Sequence, residues 1–491
     1  MTTSETSTSR GRPAETAPET IRADICVIGA GSGGLSVAAA AAAFGRDVVL
    51  IEKHKMGGDC LNYGCVPSKA LIAAGKRAHA MRTSTAFGIG PVEPTIDHRA
   101  VHDHVKGVIA SIAPNDSVER FTQLGVRVIT AEGRFTDRET VAAGPHLIKA
   151  RRFVIATGSA PAVLPIPGLD DVGYFTNETI FDNAGHLDHL IVIGGGPIGM
   201  EMAQAHRRLG SRVTVLEGLK ALGKDDPELT AVALKALGEE GLDIREGAKV
   251  ERVERTAAGG VRVYTDTGGS KGSVEGSHVL LAVGRRPNTK GLGLEAAGIA
   301  VERGAITVSS GLVTTNPKVF AIGDVTGGLQ FTHVANDHAG IVIRRALFRL
   351  PAKARTGHIP WVTYTEPEIA NVGLTEAQAT AAGHTIQVLR WPYHENDRAQ
   401  AERATEGLVK VVTDTRGRIL GAGIVGAQAG ELIQMWSLAI SQGLRVKAMT
   451  GWVSPYPTLS EINKRAAIRY YAAAAGNLWL RTVIGWLAKL G

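Results

Sequence analysis

Residues 24–34, DICVIGAGSGG, carry a short apolar, β-branched run into glycines at 29, 31 and 34. The next stretch, LSVAAAAAAFG, has helix-forming composition, and DVVLIE supplies a second apolar strand ending on Glu52. Residues 190–199, LIVIGGGPIG, repeat the arrangement, with glycines at 194, 196 and 199, a helical stretch MEMAQAHRRLG, and RVTVLE ending on Glu217. Every landmark recurs 165 positions later, from Gly29 to Gly194 and from Glu52 to Glu217. A lone G-x-G-x-x-G is weak evidence. Two copies, each followed by a helix pattern and by an acid 18 residues after the last glycine, are strong evidence for a duplicated strand, glycine turn and helix.

Such a unit is the Rossmann type, and its residue types follow from what a dinucleotide demands. The first glycine permits a tight turn, the second lets the backbone approach a pyrophosphate, and the third lets helix and strand pack closely. The helix N-terminus then faces the phosphates with unpaired N–H groups and partial positive charge. A carboxylate at the end of the second strand accepts both ribose hydroxyls and repels a 2′-phosphate, so Glu217 argues for NADH over NADPH. A second echo closes each unit: ATGSAP (156–161) follows FVI, and AVGRRP (282–287) follows VLL. Further on, VFAIGD (319–324) is another strand ending in Gly-Asp, where Asp324 can hold a ribityl hydroxyl. The chain is expected to bind two dinucleotides, one of which can be a flavin.

At 491 residues the chain is long enough for two to four domains. Sixty glycines without a G-X-Y period, beside 44% hydrophobic residues, exclude collagen and general disorder. A net charge of +7 suits cofactor phosphates or solubility, and no nucleic-acid partner is expected. The first twenty residues, MTTSETSTSRGRPAETAPET, lack an apolar stretch and read as a disordered tail, not a secretory signal, which implies a cytoplasmic protein. No window is apolar enough to span a membrane. Near the C-terminus, LWLRTVIGWLAKLG places Trp479, Val483, Trp486, Leu487 and Leu490 on one helical face and Arg481, Gly485 and Lys489 opposite. Membrane contact through this helix is one reading. Docking on the protein's own surface is preferred, because the polar face carries only two cations.

Three cysteines, at 26, 60 and 65, are too few for a secreted disulfide framework. Cys26 falls inside the first predicted strand and reads as core. Cys60 and Cys65 lie in GGDCLNYGCVPSKAL (57–71), close to one helical turn apart, so an irregular first turn can bring their sulfurs within disulfide reach. Zinc would need two further ligands that are not nearby, and no metal site is expected. Two structural thiols or a redox pair remain, and a disulfide in a reducing compartment is most often catalytic.

The segment resembles the active-site signature of the class I pyridine nucleotide-disulfide oxidoreductases, a family that includes dihydrolipoyl dehydrogenases, glutathione reductases and mercuric reductases. The resemblance runs from about residue 22 to the end, on the two glycine loops, GGDCLNYGCVPSK, ATGS, AVGRRPN, AIGD and PYPTLSE. It implies an α/β fold of two Rossmann-type domains, for FAD and NAD, with a C-terminal α+β dimerisation domain. The implied plan is a tail over 1–21, an FAD-binding domain over 22–171, an NAD-binding domain over 172–289, a return to the FAD-binding domain over 290–356, and the dimerisation domain over 357–491.

The resemblance also implies a homodimer in which NADH reduces FAD and FAD reduces the disulfide. Cys65 would be the charge-transfer thiol against the flavin, and Cys60 the outer thiol that meets substrate. Lys69 would sit near the flavin, paired with Glu201, because a cation there stabilises the reduced ring and a buried cation needs a partner. The positions matching FAD contacts are Gly29, Gly31, Gly34, Glu52, Gly133, Thr157, Gly158, Asp324 and the stretch from Gln330 to His333. Those matching NADH contacts are Gly194, Gly196, Gly199, Glu217, Val250 and Gly284.

Three departures bear on function. Thiol-reducing members place a histidine before the Pro-Thr of the last motif as acid-base catalyst; here Tyr456 stands in that place, while Glu461 is retained. A phenol with a pKa near 10 is a poor base at neutrality, so dihydrolipoamide should be a poor substrate unless another base, such as His333 or His394, helps. Mercuric reductases also carry Pro-Tyr there, but they end in a vicinal cysteine pair and tend to use NADPH, whereas no cysteine follows Cys65 and no N-terminal metal-binding module is evident. Asp59 replaces the usual small hydroxyl residue before the first cysteine; it either raises the Cys60 pKa or points to solvent. The expected function is a reductase acting on a small disulfide, a metal ion or a related electrophile. The alternatives are a dihydrolipoyl dehydrogenase, or a membrane-surface flavoprotein donating electrons to a quinone or a protein partner.

Overall fold

The computed structural model describes residues 19–472 and 477–490. Most of the stretch read as a tail lies outside the described residues. Its last three residues are not tail: the first strand begins at Glu19, and Glu19 to Ile21 pair with His146 to Ile148. Ile21 is buried, so the strand is held by its own apolar contact as well as by the ladder.

The first sheet has a parallel core in the spatial order Val126–Thr130, Val48–Glu52, Glu19–Ile28, His146–Ile155, with Val319–Ala321 added beside the last. Two antiparallel strands, Thr140–Ala143 and Gly133–Phe135, extend it. Alternate residues face opposite layers. Ile25 and Val27 pack with helices Ser32–Ala43 and Thr332–Ala346, while Cys26 and Ile28 pack with Phe135, Phe153 and Ala321. Burial on both faces explains why the strand reads as an unbroken apolar run, and it pushes the Cys26 thiol far up, making Cys26 inert core.

The second sheet repeats the parallel arrangement with Asp243–Glu246, Arg212–Glu217, His189–Ile193 and His278–Leu281, flanked by a three-stranded antiparallel meander. The ATGSAP and AVGRRP segments pair with each other, Ser159–Pro161 against Arg285–Pro287, and form a two-stranded ribbon where the chain crosses between the two units. The C-terminal part is a five-stranded antiparallel sheet over Pro360–Thr363, Glu368–Gly373, Ile419–Gly426, Leu408–Asp414 and Ile386–Pro392. Buried Lys410 ties this sheet to the second unit, reaching Asp226 at 2.8 Å and Glu228 at 2.9 Å.

The two glycine turns are geometric copies. Gly29 and Gly194 sit at φ +104° and +111°, where side chains are strained. A Cβ on Gly34 would lie 1.9 Å from Gly29 O, and one on Gly199 would lie 2.0 Å from Gly194 O. A Cβ on Gly31 would meet nothing within 4 Å, and its φ of −77° is open to any residue. In a helix, Gly→Ala normally gains up to about 1 kcal/mol. At Gly34 and Gly199 the backbone collision outweighs that gain, so Gly34→Ala and Gly199→Ala should each destabilise by about 1–3 kcal/mol in urea unfolding. Gly31→Ala should leave the midpoint in place. Equal stability of all three variants would contradict the backbone-contact argument.

Candidate functional site

Both glycine loops, the cysteine segment and the start of helix Thr332–Ala346 open onto one continuous cleft of about 1880 Å³. Helix Ser32–Ala43 starts after Gly31, and helix Pro197–Arg208 starts after Gly196. Neither start has a side-chain cap or an acid in its first turn, so free N–H groups remain there. Glu52 accepts from Ala30 N–H at 2.7 Å and His54 N–H at 2.8 Å, and Glu217 accepts from Gly195 N–H at 2.7 Å and Leu219 N–H at 2.8 Å. Uncapped helix ends, a carboxylate fixed at each loop, and space beyond Gly31 and Gly196 fit a dinucleotide in each unit. Gly133, Thr157, Gly158, Gln330, Val250 and Gly284 line the same cleft. Asp324 accepts from Ser159 Oγ at 2.6 Å, and burial raises its carboxyl pKa. His333 Nε2 lies 2.8 Å from Pro360 O.

The cysteine segment is built onto the first glycine loop. Gly57 N–H donates to Ala30 O at 2.9 Å, and a Cβ on Gly58 would lie 2.7 Å from Gly31 Cα. Cys60 sits in the short helix Gly58–Asn62 and Cys65 opens the long helix Cys65–Arg82, with Tyr63 and Gly64 breaking the helix between them. This break brings the thiols together. The neighbouring Cys60 thiol holds the Cys65 pKa down to about 6, against partial desolvation, with help from the Thr332 hydroxyl at 3.4 Å and the Lys69 charge. Cys60 is pushed up by its pairing with Cys65 and by burial. Both are free cysteines here, and the opposite directions of the two shifts favour charge on Cys65 over Cys60.

Lys69 Nζ lies 2.7 Å from Glu201 Oε2, and Glu201 is buried. The helices carrying them pack closely at Gly75, where a Cβ would lie 3.3 Å from Ala205 O. Glu201 Oε1 also accepts from Tyr364 N–H at 3.0 Å, and Lys69 Nζ sits 4.2 Å from the centre of the Tyr364 ring. Tyr364 and Arg285 escaped the sequence reading, although their segments were in view; Thr332 fell within the Gln330 to His333 stretch, but its contact with Cys65 did not. Arg285 is the partner of Asp59, at 3.0 Å, and Asn177 donates to the same carboxylate oxygen at 3.1 Å. Asp59 therefore does not simply point to solvent. Arg285 Nε also donates to Ser159 Oγ at 2.7 Å, which joins Asp59 to the Ser159–Asp324 pair.

Tyr456 and Glu461 are not brought to the cysteines of their own chain. Tyr456 is exposed and donates to Asp397 Oδ2 at 2.8 Å, which holds the phenol above its ordinary pKa. Glu461 pairs with Arg465 at 2.7 Å.

Residues 23–339 match the family model described as pyridine nucleotide-disulphide oxidoreductase, and residues 359–467 match the dimerisation domain of the same family. The chain is 36% identical over 451 residues to a mercuric reductase of Bacillus cereus, covering 91% of this chain and 71% of that protein. It is also 36% identical over 457 residues to a dihydrolipoyl dehydrogenase of Thermus scotoductus, covering 89% and 95%. The solved structure of the HOCl-induced flavoprotein disulfide reductase RclA from Escherichia coli, a Cu(II) complex, superimposes with a TM-score of 0.82 at 28% identity over 91% of this chain and 99% of that one. Among the described residues no helix is long and apolar enough to cross a membrane. With two glycine-loop units that fit dinucleotides, a pair of free cysteines between them and a dimerisation domain behind them, the chain belongs to the class I pyridine nucleotide-disulfide oxidoreductases, enzymes that use FAD and a pyridine nucleotide.

Proposed function

We propose that this chain is an NADH-driven reductase that passes electrons through FAD to Cys60 and Cys65 and on to a small electrophile, with a soft metal ion as the leading substrate class. Gly29, Gly31, Gly34, Glu52 and Asp324 would hold FAD in the first unit, and Gly194, Gly196, Gly199, Glu217 and Val250 would hold NADH in the second. FAD held there would supply a two-electron carrier between the nicotinamide and the cysteine pair. Opening the disulfide consumes those two electrons and one proton, leaving the thiolate on Cys65 and the proton on Cys60. Lys69, fixed by Glu201, supplies a cation beside the site. Glu217 favours NADH because its carboxylate would repel a 2′-phosphate.

The observation that carries the choice of substrate is a ready thiolate without a ready base. Cys65 is held near pKa 6 by its neighbours, while the position that abstracts a thiol proton in thiol-reducing relatives carries a phenol held above its ordinary pKa. A soft metal ion carries no thiol proton of its own, binds the Cys65 thiolate directly and displaces the Cys60 proton on binding, so no base is needed to activate the substrate. Two copies of the chain would bring Tyr456 and Glu461 of one protomer to the cysteines of its partner. The exposure of Tyr456 and Val453 on that loop supports such an arrangement. Relatives named dihydrolipoyl dehydrogenase are as similar as those named mercuric reductase, so lipoamide turnover is the reading to be tested against.

Steady-state assays should find NADH oxidation with Hg(II) faster than NAD+ reduction by dihydrolipoamide by about 100-fold or more, the usual contribution of a general base. Tyr456→His should raise dihydrolipoamide turnover. Wild-type lipoamide turnover as fast as that with Hg(II) would defeat the proposal. The long-wavelength charge-transfer absorbance should appear in wild type on two-electron reduction, which opens the disulfide and leaves the flavin oxidised. Cys60→Ala, which cannot form the disulfide, should show it before any reduction, and Cys65→Ala should lack it in either state. In wild type the band requires the Cys65 thiolate, so it should be full above pH 7 and fade as pH falls through about 6. A band surviving in Cys65→Ala would reverse the two thiol roles.

A further inference from the structure

We propose that helix Leu478–Leu487 seats this reductase on an anionic lipid surface. The helix is encoded locally: Asn477 Oδ1 accepts from Trp479 N–H at 2.9 Å and Leu480 N–H at 3.3 Å, capping its start. None of its residues is fully buried among the described residues, and only Leu480 and Val483 are half-buried, so the described surface does not cover the apolar face as docking on the protein itself would require. Trp479 and Trp486 are each 72% exposed, and Leu490 just beyond the helix is 82% exposed. Contiguous apolar area of this kind marks an interaction site.

The order of side chains around the axis says what covers it. At about 100° per residue, Trp486, Trp479, Leu490, Val483, Leu487, Leu480 and Ile484 follow one another around a single wide face. Thr482, Lys489, Gly485 and Arg481 fill the other, together with Leu478 of the first turn and the small Ala488. The two tryptophans lie at the edge of the apolar face, beside Thr482. That is where a ring with an apolar body and a polar N–H suits the headgroup level of a bilayer.

Charge chooses among occupants. From Ile462 to Gly491 the chain carries no Asp or Glu, and it carries Lys464, Arg465, Arg469, Arg481 and Lys489. Of these, Arg465 is neutralised by Glu461. A second copy of the same segment would bring like charges together, whereas anionic headgroups complement them. The match to the family's dimerisation domain ends at residue 467, so the helix lies beyond that module. At 1.5 Å per residue it is about half as long as the hydrocarbon core is thick, so it lies along the surface and does not span.

The test is co-sedimentation of FAD-loaded full-length protein with vesicles of phosphatidylcholine alone and of phosphatidylcholine with about 30% phosphatidylglycerol. The comparison proteins are a chain ended at Asn477 and the full-length Leu487→Glu variant, with size-exclusion light scattering on all three. The full chain should pellet with the anionic vesicles at least about tenfold more than either comparison protein, and less with phosphatidylcholine alone or at high salt. Because no residue of the helix is fully buried, both comparison proteins should keep the flavin content and oligomeric state of the full chain. Equal pelleting of the full and shortened chains would overturn the proposal. So would undiminished binding by Leu487→Glu, which would place the contact elsewhere. Loss of the full chain's oligomeric state on shortening, without vesicle binding by the full chain, would assign the helix to a second copy and equally overturn it.

Discussion

The carboxylate of Glu201 is the point on which the three parts of the chain converge. It is buried on the helix that follows the second glycine loop, and an ion so placed persists only with a partner. Lys69 supplies the opposite charge from the cysteine helix at 2.7 Å, and Tyr364 supplies a backbone N–H from the C-terminal part at 3.0 Å. The Tyr364 ring then lies against the same ammonium, 4.2 Å away. Removing one member would leave a charge short of its compensation, a change on the order of 3 kcal/mol in fully buried pairs. Solvent at the half-exposed Lys69 end tempers that figure. Holding the cysteine helix against the second unit in this way also fixes where the Cys65 sulfur stands relative to the cleft.

How much of this was legible in the sequence depended on whether a feature is local. The glycine turns, their helices and the acids at 52 and 217 are contained in runs of about thirty residues whose backbone demands are nearly independent of the rest of the fold. The cysteine pair was legible for the same reason, and Lys69 and Glu201 through a family resemblance. The contacts of Arg285, Tyr364 and Thr332 were not, because each is made to a residue more than 160 positions away, even where the residue's own segment, AVGRRP or Gln330 to His333, was in view. Glu19 to Ile21 were read as tail from composition, yet a partner strand at His146 to Ile148 pairs with them. The C-terminal helix failed in the opposite direction: its amphipathic face was read correctly, but the face it was expected to meet is not there among the described residues.

The electrostatics around the thiols reward separate accounting of each charge. Asp59 is adjacent to Cys60 and opposes thiolate formation at both sulfurs. An uncompensated unit charge at about 4 Å contributes roughly 4 kcal/mol at an effective dielectric constant near 20, enough to suppress a thiolate at neutral pH. Yet Cys65 stays low. Arg285 stands 3.0 Å from the Asp59 carboxylate and Asn177 donates to it, so most of its field closes locally. The Cys60 S–H and the Thr332 hydroxyl then act on Cys65 directly, and the Lys69 charge adds to them. An acidic residue at position 59 is thus tolerable because AVGRRP places an arginine against it, on the same ribbon that joins the two units. The replacement at 59 and the arginine at 285 form one electrostatic unit. The charge that Asp59 presents beside the cysteines is accordingly that of a paired carboxylate held by Arg285 and Asn177, and the cationic influence on Cys65 comes from Lys69.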